Sequence, residues 1–461
     1  LARKHKYNVK FYIISEDSYR SALKQYETLG EEVGAALDTA EAIFAPKDQT
    51  LDDDDGKGFT EVIKSAPVSK IVSVILRHAI EGRASDIHIE PVGNQSKIRY
   101  RIDGVLHTTI VLPIYVHSAL ISRIKVMSNL KIDETRIPQD GRIRIKIHGK
   151  DVDFRISTIP LMGHEKVVMR ILETPDKAPT FEELGFMGNH AKRVAASIKK
   201  PNGLFLVTGP TGSGKSTTLF AGLSVLNRED VNIATLEDPV EYYVPGVNQS
   251  QVRPEVGFTF ATGLRALLRQ DPDIIMVGEI RDNETAELAI HAGLTGHSVL
   301  TTLHTNSAIG AIPRLFDMKV EPFLLASTLN AVVAQRLVRK ICLKCKAEDK
   351  LPPDVEKNLK EHLSTIPDEA FYGEVDKNSF TFYKGKGCAN CGQTGYKGRL
   401  SIAEAIHVTR GFKDIIAKGF DRAEVDKELA KQNFITMEQD GVIKVLLGMT
   451  TVEEIMRVSK M

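Results

Sequence analysis

The spacing of apolar and polar residues predicts one amphipathic helix and several strands in the first half of the chain. After Pro67, which suits the first turn of a helix, apolar residues recur at the intervals of one helix face. That face consists of Val68, Ile71, Val72, Ile75, Leu76 and Ala79. Apolar and alternating runs, separated by Asp-Gly turn signals, predict strands at residues 86–90, 97–102, 142–147 and 152–157. Together these elements predict an α+β domain over residues 67–185.

The second half of the chain has a different pattern. From Pro201 onward, strand-like apolar runs alternate with helical ones, which is typical of a parallel sheet covered by helices. We therefore predict an α/β fold for a domain over residues 186–461. Within this domain, residues 338–400 hold the cysteines and residues 401–461 predict a mostly helical C-terminal subdomain.

The first part of the chain predicts the remainder of another domain. Residues 7–14 predict a strand and residues 16–29 a helix, which we interpret as the C-terminal part of an upstream domain over residues 1–50. The chain opens with Leu1 instead of Met, so we expect further sequence upstream. The acidic run LDDDDGKG predicts a solvated linker over residues 51–66.

A glycine-rich run directly after the apolar residues 204–207 matches the pattern GxxxxGK[ST]. Its glycines allow successive backbone N–H groups to turn toward a phosphate, and the following helix offers its N-terminus to the anion. Lys215 can place a positive charge on the β- and γ-phosphates, and the Ser216 hydroxyl can ligate Mg²⁺. The sequence thus predicts a site for ATP or GTP with magnesium, formed by Gly209, Pro210, Thr211, Gly212, Ser213, Gly214, Lys215, Ser216 and Thr217.

Carboxylates follow two other apolar runs. Ile274–Val277 is followed by Gly278 and Glu279, and a carboxylate there can orient attacking water or hold magnesium through water. Glu237 and Asp238 follow residues 231–234 and are candidates for the same tasks. The structural alternatives are a surface salt bridge for Glu279 and a polar turn for the other pair. The sequence leaves open whether Glu279 or Glu237 positions the water.

Two histidines flank a strand-like run further along the chain. His297 precedes this run and His304 follows it. A single histidine is more often structural than functional, but two of them beside a nucleotide-binding lobe are candidates for catalysis.

The cysteines form two CxxC pairs, Cys342 with Cys345 and Cys388 with Cys391. Four thiolates can close a tetrahedral zinc site that has no open position for catalysis. A redox role requires only one CxxC pair, and the restriction of all four cysteines to one segment argues against a disulfide scaffold. We therefore predict a structural zinc site and a cytosolic compartment.

Composition and charge exclude several other classes of protein. The chain has 461 residues, which corresponds to about three domains. Hydrophobic residues make up 42% and charged residues 26%, and Lys plus Arg (61) nearly balance Asp plus Glu (60). This balance gives no indication of nucleic acid as the main partner. The apolar runs are far shorter than the roughly 18 residues of a membrane span, and no signal-peptide pattern opens the chain.

In their order and spacing, the motifs resemble the secretion-ATPase superfamily that drives type IV pilus assembly and type II secretion. The family's Walker A loop, Asp box, Walker B strand and His box correspond to residues 209–217, 237–239, 273–282 and 296–306. Three upstream motifs resemble its second N-terminal domain: ASDIHIEP at 84–91, RYRIDG at 99–104 and PQDGR at 138–142. The resemblance covers residues 65–461.

This resemblance implies a RecA-like P-loop ATPase domain that follows a smaller, PAS-like α+β domain. It implies a homo-hexameric ring in which arginines of the mobile N-terminal domain reach the phosphates of ATP. Arg155 and Arg170 match these arginines of the N-terminal domain. Arg265 and Arg269, in the predicted ATPase domain, also match the family's pattern, and their i, i+4 spacing predicts one shared helix face. The alternative for all four is an ion pair or a solvated surface, which is also our interpretation of Arg99 and Arg101. The family's pattern places Asp238 with the nucleotide-binding residues, and Glu237, Glu279, His297 and His304 with the catalytic ones.

The resemblance also implies partners and a location. Assembly and secretion ATPases carry the tetracysteine motif, whereas retraction ATPases generally lack it. We therefore expect a motor that turns a polytopic inner-membrane platform protein by ATP-driven domain rotation. We expect it to be cytoplasmic and attached to the inner membrane through its partners, with no direct nucleic-acid contact. We prefer pilus assembly over type II secretion because the segment between the CxxC pairs is long and an upstream tail is present.

Two rival functions remain open. One is a DNA-translocating or conjugation-type ATPase on a related fold, which the balanced charge and the zinc motif disfavour. The other is a nucleotide-gated scaffold that binds ATP without hydrolysing it, which the presence of Lys215 and Glu279 disfavours.

Overall fold

The computed structural model describes residues 66–147, 150–172, 178–373 and 381–458. The elements predicted upstream of residue 66, including the strand at residues 7–14 and the helix at 16–29, lie outside the described residues. Residue contacts divide the chain into two units, Leu1–Glu173 and Thr174–Met461.

The described part of the first unit is an antiparallel sheet with two helices. Its strands lie in the order β3-β2-β1-β6-β5-β4. The apolar face of α1, predicted from Val68 to Ala79, packs with Ile87 and Ile89 of β1 in one core. The elements are α1 (Ala66–Glu81), β1 (Ala84–Val92), β2 (Gln95–Ile102), β3 (Val105–Pro113), α2 (His117–Met127), β4 (Gln139–Ile147), β5 (Lys150–Pro160) and β6 (Glu165–Leu172).

The sequence-based strands of this unit are confirmed, but two others were not predicted. β3 is largely exposed, with buried positions only at Ile110 and Leu112, so its apolar periodicity is weak. β6 alternates buried and less buried positions over its whole length and pairs with the central strand β1.

The second unit contains a mostly parallel sheet, in the order β15-β12-β7-β11-β10-β8-β9 within the described residues. Only the edge pair β12–β15 is antiparallel among the strand pairs of this sheet. The strands are β7 (Gly203–Thr208), β8 (Ile233–Glu237), β9 (Asn248–Gln251), β10 (Ile274–Val277), β11 (Ser298–Leu303), β12 (Leu329–Ile341) and β15 (Tyr396–His407). A separate two-stranded antiparallel sheet consists of β13 (Lys346–Asp349) and β14 (Phe382–Gly385).

Helices cover both faces of this sheet. Alternate residues of β7 show the two faces: Leu204 and Leu206 belong to one apolar core, and Phe205 and Val207 to another. The α/β class and its parallel sheet are therefore confirmed. The helices are α3 (Gly188–Ile198), α4 (Lys215–Leu226), α5 (Phe260–Leu267), α6 (Asn283–Leu294), α7 (Ala308–Asp317), α8 (Pro322–Thr328), α9 (Pro353–Ser364), α10 (Arg410–Ala417), α11 (Arg422–Lys431), α12 (Met437–Leu446) and α13 (Val452–Val458).

Two borders differ from those expected. The second unit starts at Thr174, ahead of residue 186, because Leu184 O accepts a bond from Ser401 N and Phe181 packs in the core of this unit. The predicted C-terminal subdomain at 401–461 is mostly helical in its described part, up to residue 458, but its first residues, 401–407, belong to β15. This part of β15 is continuously buried, and a short apolar run has no periodicity that separates a strand from a buried helix.

Candidate nucleotide and metal sites

The loop between β7 and α4 has the backbone of an anion-binding turn. Gly209 and Gly214 have φ values of 149° and 90°, which side chains rarely tolerate. A Cβ atom on Gly209 would lie 2.6 Å from the carbonyl oxygen of Gln335, so only glycine fits there. The chain then enters α4 at Lys215, where free N–H groups and the helix dipole favour a negative charge. This geometry can hold a phosphate group.

Lys215 folds back over this loop. Its Nζ donates hydrogen bonds to Gly209 O at 2.9 Å and to Pro210 O at 3.2 Å. Burial lowers the pKa of Lys215, and the nearby Glu279 carboxylate raises it in part. Ser216, in the first turn of α4, is exposed and can reach a metal ion. A bound polyphosphate can take the place of the two carbonyl oxygens as the partner of Lys215.

The order of the strands brings the other motifs to the same edge of the sheet. β7 and β10 both pair in parallel with β11, and β10 also pairs in parallel with β8. The carboxyl ends of parallel strands meet at one edge, where ligands bind in open α/β sheets. This edge therefore carries the phosphate loop, His304 after β11, Glu279 after β10 and Glu237 at the end of β8.

Two side chains, those of His304 and Arg281, contact the Glu279 carboxylate. His304 Nε2 lies 3.1 Å from Glu279 Oε2, and Arg281 forms an ion pair with the other carboxylate oxygen. Arg281 also lies 3.2 Å from Asp238 Oδ2, so one guanidinium connects the two acidic motifs. The sequence reasoning missed Arg281, although its position two residues after Glu279 was visible.

Glu237 has a different environment. Its side chain is buried, and its Oε1 accepts hydrogen bonds from Thr235 Oγ1 at 2.6 Å and Gln249 Nε2 at 2.9 Å. Burial raises the pKa of Glu237, and these two hydrogen bonds lower it in part. Gln249 is a second residue that the sequence reasoning missed, because it lies on the edge strand β9.

The structure does not bring His297 to this edge. His297 precedes β11, whereas His304 follows it, and a six-residue strand is about 20 Å long. The ring of His297 instead lies against the end of α6, with Nδ1 3.0 Å from Ala292 O. Both histidines flank β11, as the sequence predicts, but only His304 lies at the edge that carries the phosphate loop.

Arg265 and Arg269 do not share a helix face. Arg265 lies in α5 and forms an ion pair with Glu284 in the first turn of α6. Helix α5 ends at Leu267, and Arg269 lies in the turn beyond it, where its NH1 donates to Arg265 O at 2.9 Å. The predicted i, i+4 arrangement is wrong because the helix stops before Arg269.

Arg155 and Arg170 are direct cross-strand neighbours in the first unit. The register places Arg101, Asp86, Arg170, Arg155 and Arg142 opposite one another across five adjacent strands. Arg170 Nε lies 3.0 Å from Asp86 Oδ1 and Arg101 Nε lies 3.3 Å from Asp86 Oδ2. This arginine row has four arginines and one aspartate, and two of the arginines pair with that aspartate, so the row has an excess of positive charge that can attract an anion.

The ion pairs expected for Arg99 and Arg101 are confirmed. Arg99 NH2 lies 2.6 Å from Glu90 Oε2, and Arg101 pairs with Asp86. Both arginines neutralise carboxylates of the central strand β1, whose polar side chains are buried despite facing away from the core.

The four cysteines meet at one point. Cys342 Sγ and Cys388 Sγ are 3.9 Å apart, Cys345 Sγ and Cys391 Sγ are 3.8 Å apart, and all four sulfur atoms lie within 4.8 Å of one another. A tetrahedral zinc ion with Zn–S bonds of about 2.3 Å requires S···S distances of about 3.8 Å. The cysteines are free, and this geometry fits a Zn(Cys)4 centre.

Backbone N–H groups support thiolates at this cluster. Cys391 Sγ accepts hydrogen bonds from Cys388 N at 3.2 Å and Gly395 N at 3.3 Å. Burial raises the pKa of Cys391, but these hydrogen bonds outweigh burial and lower the pKa to about 6. Thiolates are the form that binds zinc. Burial raises the pKa of Cys345 to about 12, so the charge of a bound metal ion would have to stabilise the thiolate at that position.

The sheet, the phosphate loop and the acidic edge define a RecA-like P-loop ATPase. A family model described as "Type II/IV secretion system protein" matches residues 61–457, and the chain belongs to this family. The resemblance to the secretion-ATPase superfamily is thus confirmed, and the protein is an ATP-hydrolysing motor.

Curated relatives come from two kinds of machine. The type IV pilus assembly ATPase PilB of Myxococcus xanthus is 42% identical over 97% of this chain and 78% of its own length. The type II secretion system protein E of Pseudomonas aeruginosa is also 42% identical, over 97% of this chain and 86% of its own length. These relatives support a pilus or secretion ATPase equally.

Solved structures agree with the fold. The pilus retraction motor PilT with bound ADP shares 27% identity and a TM-score of 0.58, over 84% of this chain and 96% of PilT. The ATPase DotB of Legionella pneumophila, with 22% identity and a TM-score of 0.60 over 84% of this chain and 94% of DotB, shares the fold. In the described ranges, no helix has the length and apolar character needed to cross a membrane.

Proposed function

We propose that this chain powers type IV pilus assembly, as a hexameric ring that acts on a polytopic inner-membrane platform protein. ATP hydrolysis at the phosphate loop drives rotation of one domain against the other, and the rotation is passed to the platform. The ring is cytoplasmic and is attached to the inner membrane through its partners. The PilB relative from Myxococcus xanthus, at 42% identity, supports this proposal.

The cysteine cluster is the observation that favours an assembly motor over a retraction motor. Its four sulfur atoms lie at zinc-binding distances, and the superfamily resemblance links this motif to assembly and secretion rather than to retraction. Zinc here is structural, because four thiolates leave no open coordination position. The zinc ion stabilises the two-stranded sheet of β13 and β14, which lies between the two CxxC pairs in sequence.

The nucleotide site has distinct roles for its residues. The loop and Lys215 hold the phosphates, and Ser216 holds Mg²⁺. Asp238 forms an ion pair with Arg281 at the acidic edge of the sheet. Glu279 is the group that positions the attacking water. Its carboxylate lies within hydrogen-bonding distance of His304, and its negative charge raises the pKa of Lys215 at the phosphate loop. Glu237 is buried and bonded to Thr235 and Gln249, which suits a supporting role.

The second candidate is a type II secretion motor, which the relative from Pseudomonas aeruginosa supports. The long segment between the CxxC pairs, which carries α9, favours pilus assembly. In cells that encode the chain, a chromosomal Lys215→Ala substitution should remove surface pili and leave the secretion of folded exoproteins unchanged. Retained pili with lost secretion would reverse the assignment, and loss of neither would contradict both.

The arginine row leads to a further prediction. Arg155→Ala and Arg170→Ala should each lower ATP turnover by roughly a thousandfold, the typical contribution of an arginine that stabilises phosphoryl transfer. The dissociation constant for ATP should change far less, because the charge that these residues stabilise develops in the transition state. Turnover is measured as phosphate release from intact rings.

The matched control is Arg136→Ala, since this exposed arginine pairs with Glu134 in a loop outside the row. Parent-like turnover in both Arg155→Ala and Arg170→Ala would return these residues to a structural role in the sheet.

A further inference from the structure

Gln335 is a fully buried amide that lies directly beneath the phosphate loop. β12 pairs in parallel with β7 up to Ala334 opposite Thr208, so Gln335 is the next residue, beside the start of the loop. We infer that Gln335 is a positioning residue: its amide fixes the peptide group between Ser213 and Gly214, so that the Gly214 N–H faces the β-phosphate of a bound nucleotide. This inference rests on nucleotide binding at this loop.

Both ends of the amide have a partner. Gln335 Nε2 donates to Ser213 O at 2.8 Å, and Thr218 Oγ1 donates to Gln335 Oε1 at 2.9 Å. A carbonyl oxygen can only accept, so the amide orientation is determined by Ser213, and the Thr218 hydroxyl must then act as donor. Gln335 thus connects the loop to the first turn of α4 and to the sheet.

The direction of one N–H group follows from this contact. A trans peptide is planar, so its C=O and N–H bonds point in opposite directions. Because the Ser213 carbonyl points down to Gln335, the N–H of Gly214 points away from the sheet, toward the side where an anion binds. Gly214, which follows this peptide, has a positive φ of 90° and, as a glycine, offers little resistance to rotation of the peptide. The side-chain contact therefore supplies the restraint that the loop backbone lacks.

Packing around Gln335 is close on both sides of the loop. A Cβ atom on Gly214 would lie 3.1 Å from Gln335 Nε2, and one on Gly209 would lie 2.6 Å from Gln335 O. A side chain of similar length without hydrogen-bonding groups can fill this space, but it leaves the buried Ser213 carbonyl without its donor. Shape and hydrogen bonding are therefore separable by substitution.

The test is Gln335→Met, measured by steady-state kinetics with ATP and by equilibrium binding of ADP. One misdirected N–H to a charged phosphate should raise the KM for ATP and the Kd for ADP by about tenfold or more. The value of kcat should stay within about twofold, because this contact is made equally in the ground state and the transition state. Simple destabilisation would instead lower kcat through the active fraction and leave KM unchanged.

The matched control is Gln432→Met. Gln432 also bonds main-chain groups, His407 N and His407 O, but it lies in the turn after α11. Its variant should keep the parent KM and Kd.

A second variant keeps the inference testable if Gln335→Met does not fold. Thr218→Val removes only the hydrogen bond that Gln335 Oε1 accepts, which loosens the amide, and it should raise the Kd for ADP by severalfold. The double variant should bind ADP no more weakly than Gln335→Met alone, since both act through one contact. A parent-like KM and Kd in Gln335→Met, or in Thr218→Val where that is the variant that folds, would overturn the inference.

Discussion

Replacing Glu279 with glutamine is expected to lower ATP turnover by about a hundredfold or more, the typical contribution of a general base. Glutamine has nearly the same shape, so it can still accept a hydrogen bond at the end of β10. It cannot take up a proton, and its weaker partial charge no longer orients water or a hydrated metal ion. The Kd for ATP should stay near that of the parent, because Lys215 and the loop backbone hold the phosphates.

The control for this variant is Glu287→Gln. Glu287 is exposed on α6 and lies 3.8 Å from His291, away from the acidic edge. It should turn over ATP like the parent. Equal phosphate release by Glu279→Gln and the parent would contradict the role of Glu279 and direct attention to Glu237.

Cys388→Ser should give a chain that is depleted of zinc and susceptible to proteases between about Cys342 and Cys391. Binding a structural zinc ion in a finger contributes roughly 10–16 kcal/mol near neutral pH, comparable to the whole stability of a domain of about 5–15 kcal/mol. Loss of the metal should therefore disorder the two-stranded sheet of β13 and β14. ATP binding should be largely retained, because the phosphate loop is anchored by β7 and α4.

Leu343→Ser is the matched control, since this residue lies between the two cysteines of the first pair and its side chain is 86% exposed. It adds the same hydroxyl to the turn of the other CxxC pair and should keep the metal. Elemental analysis of the parent chain provides the direct check. Clearly less than one zinc per chain, with four free thiols and no loss during purification, would refute the centre and remove the main support for assembly over retraction.

Local patterns were sufficient for much of the fold. The helix α1 follows from the spacing of six apolar residues, and the strand before the phosphate loop follows from a short apolar run bounded by glycine. These features depend on neighbours in sequence, so a single chain contains the information. The metal site is similar, because paired cysteines indicate their own chemistry before the fold brings them together.

Features that depend on tertiary structure were harder to predict. The end of α5 is an intermediate case: Pro272 lies shortly beyond Arg269, and the residue before it, Asp271, has a positive φ of 49°. Proline cannot continue a helix and restricts the residue before it. Pro272 was therefore a signal in the sequence that the helix ends before Arg269. The prediction of a shared helix face for Arg265 and Arg269 relied on their i, i+4 spacing instead.

The contacts of the site depend on which strands are neighbours. Nothing local indicates that Arg281 connects Glu279 to Asp238. Gln335 left a weak local signal, as an uncharged polar residue directly after the apolar residues 331–334. An uncharged polar side chain in a buried strand requires a hydrogen-bonding partner, but only the strand order shows that this partner is the phosphate loop.

Phosphate release by the purified parent and Lys215→Ala chains tests most directly whether this chain hydrolyses ATP at the loop of residues 209–217. The parent should release phosphate continuously from Mg-ATP, and Lys215→Ala should remain at background because the main positive charge on the phosphates is gone. Equal rates for the two chains, or no release by a parent that binds ATP, would contradict the account.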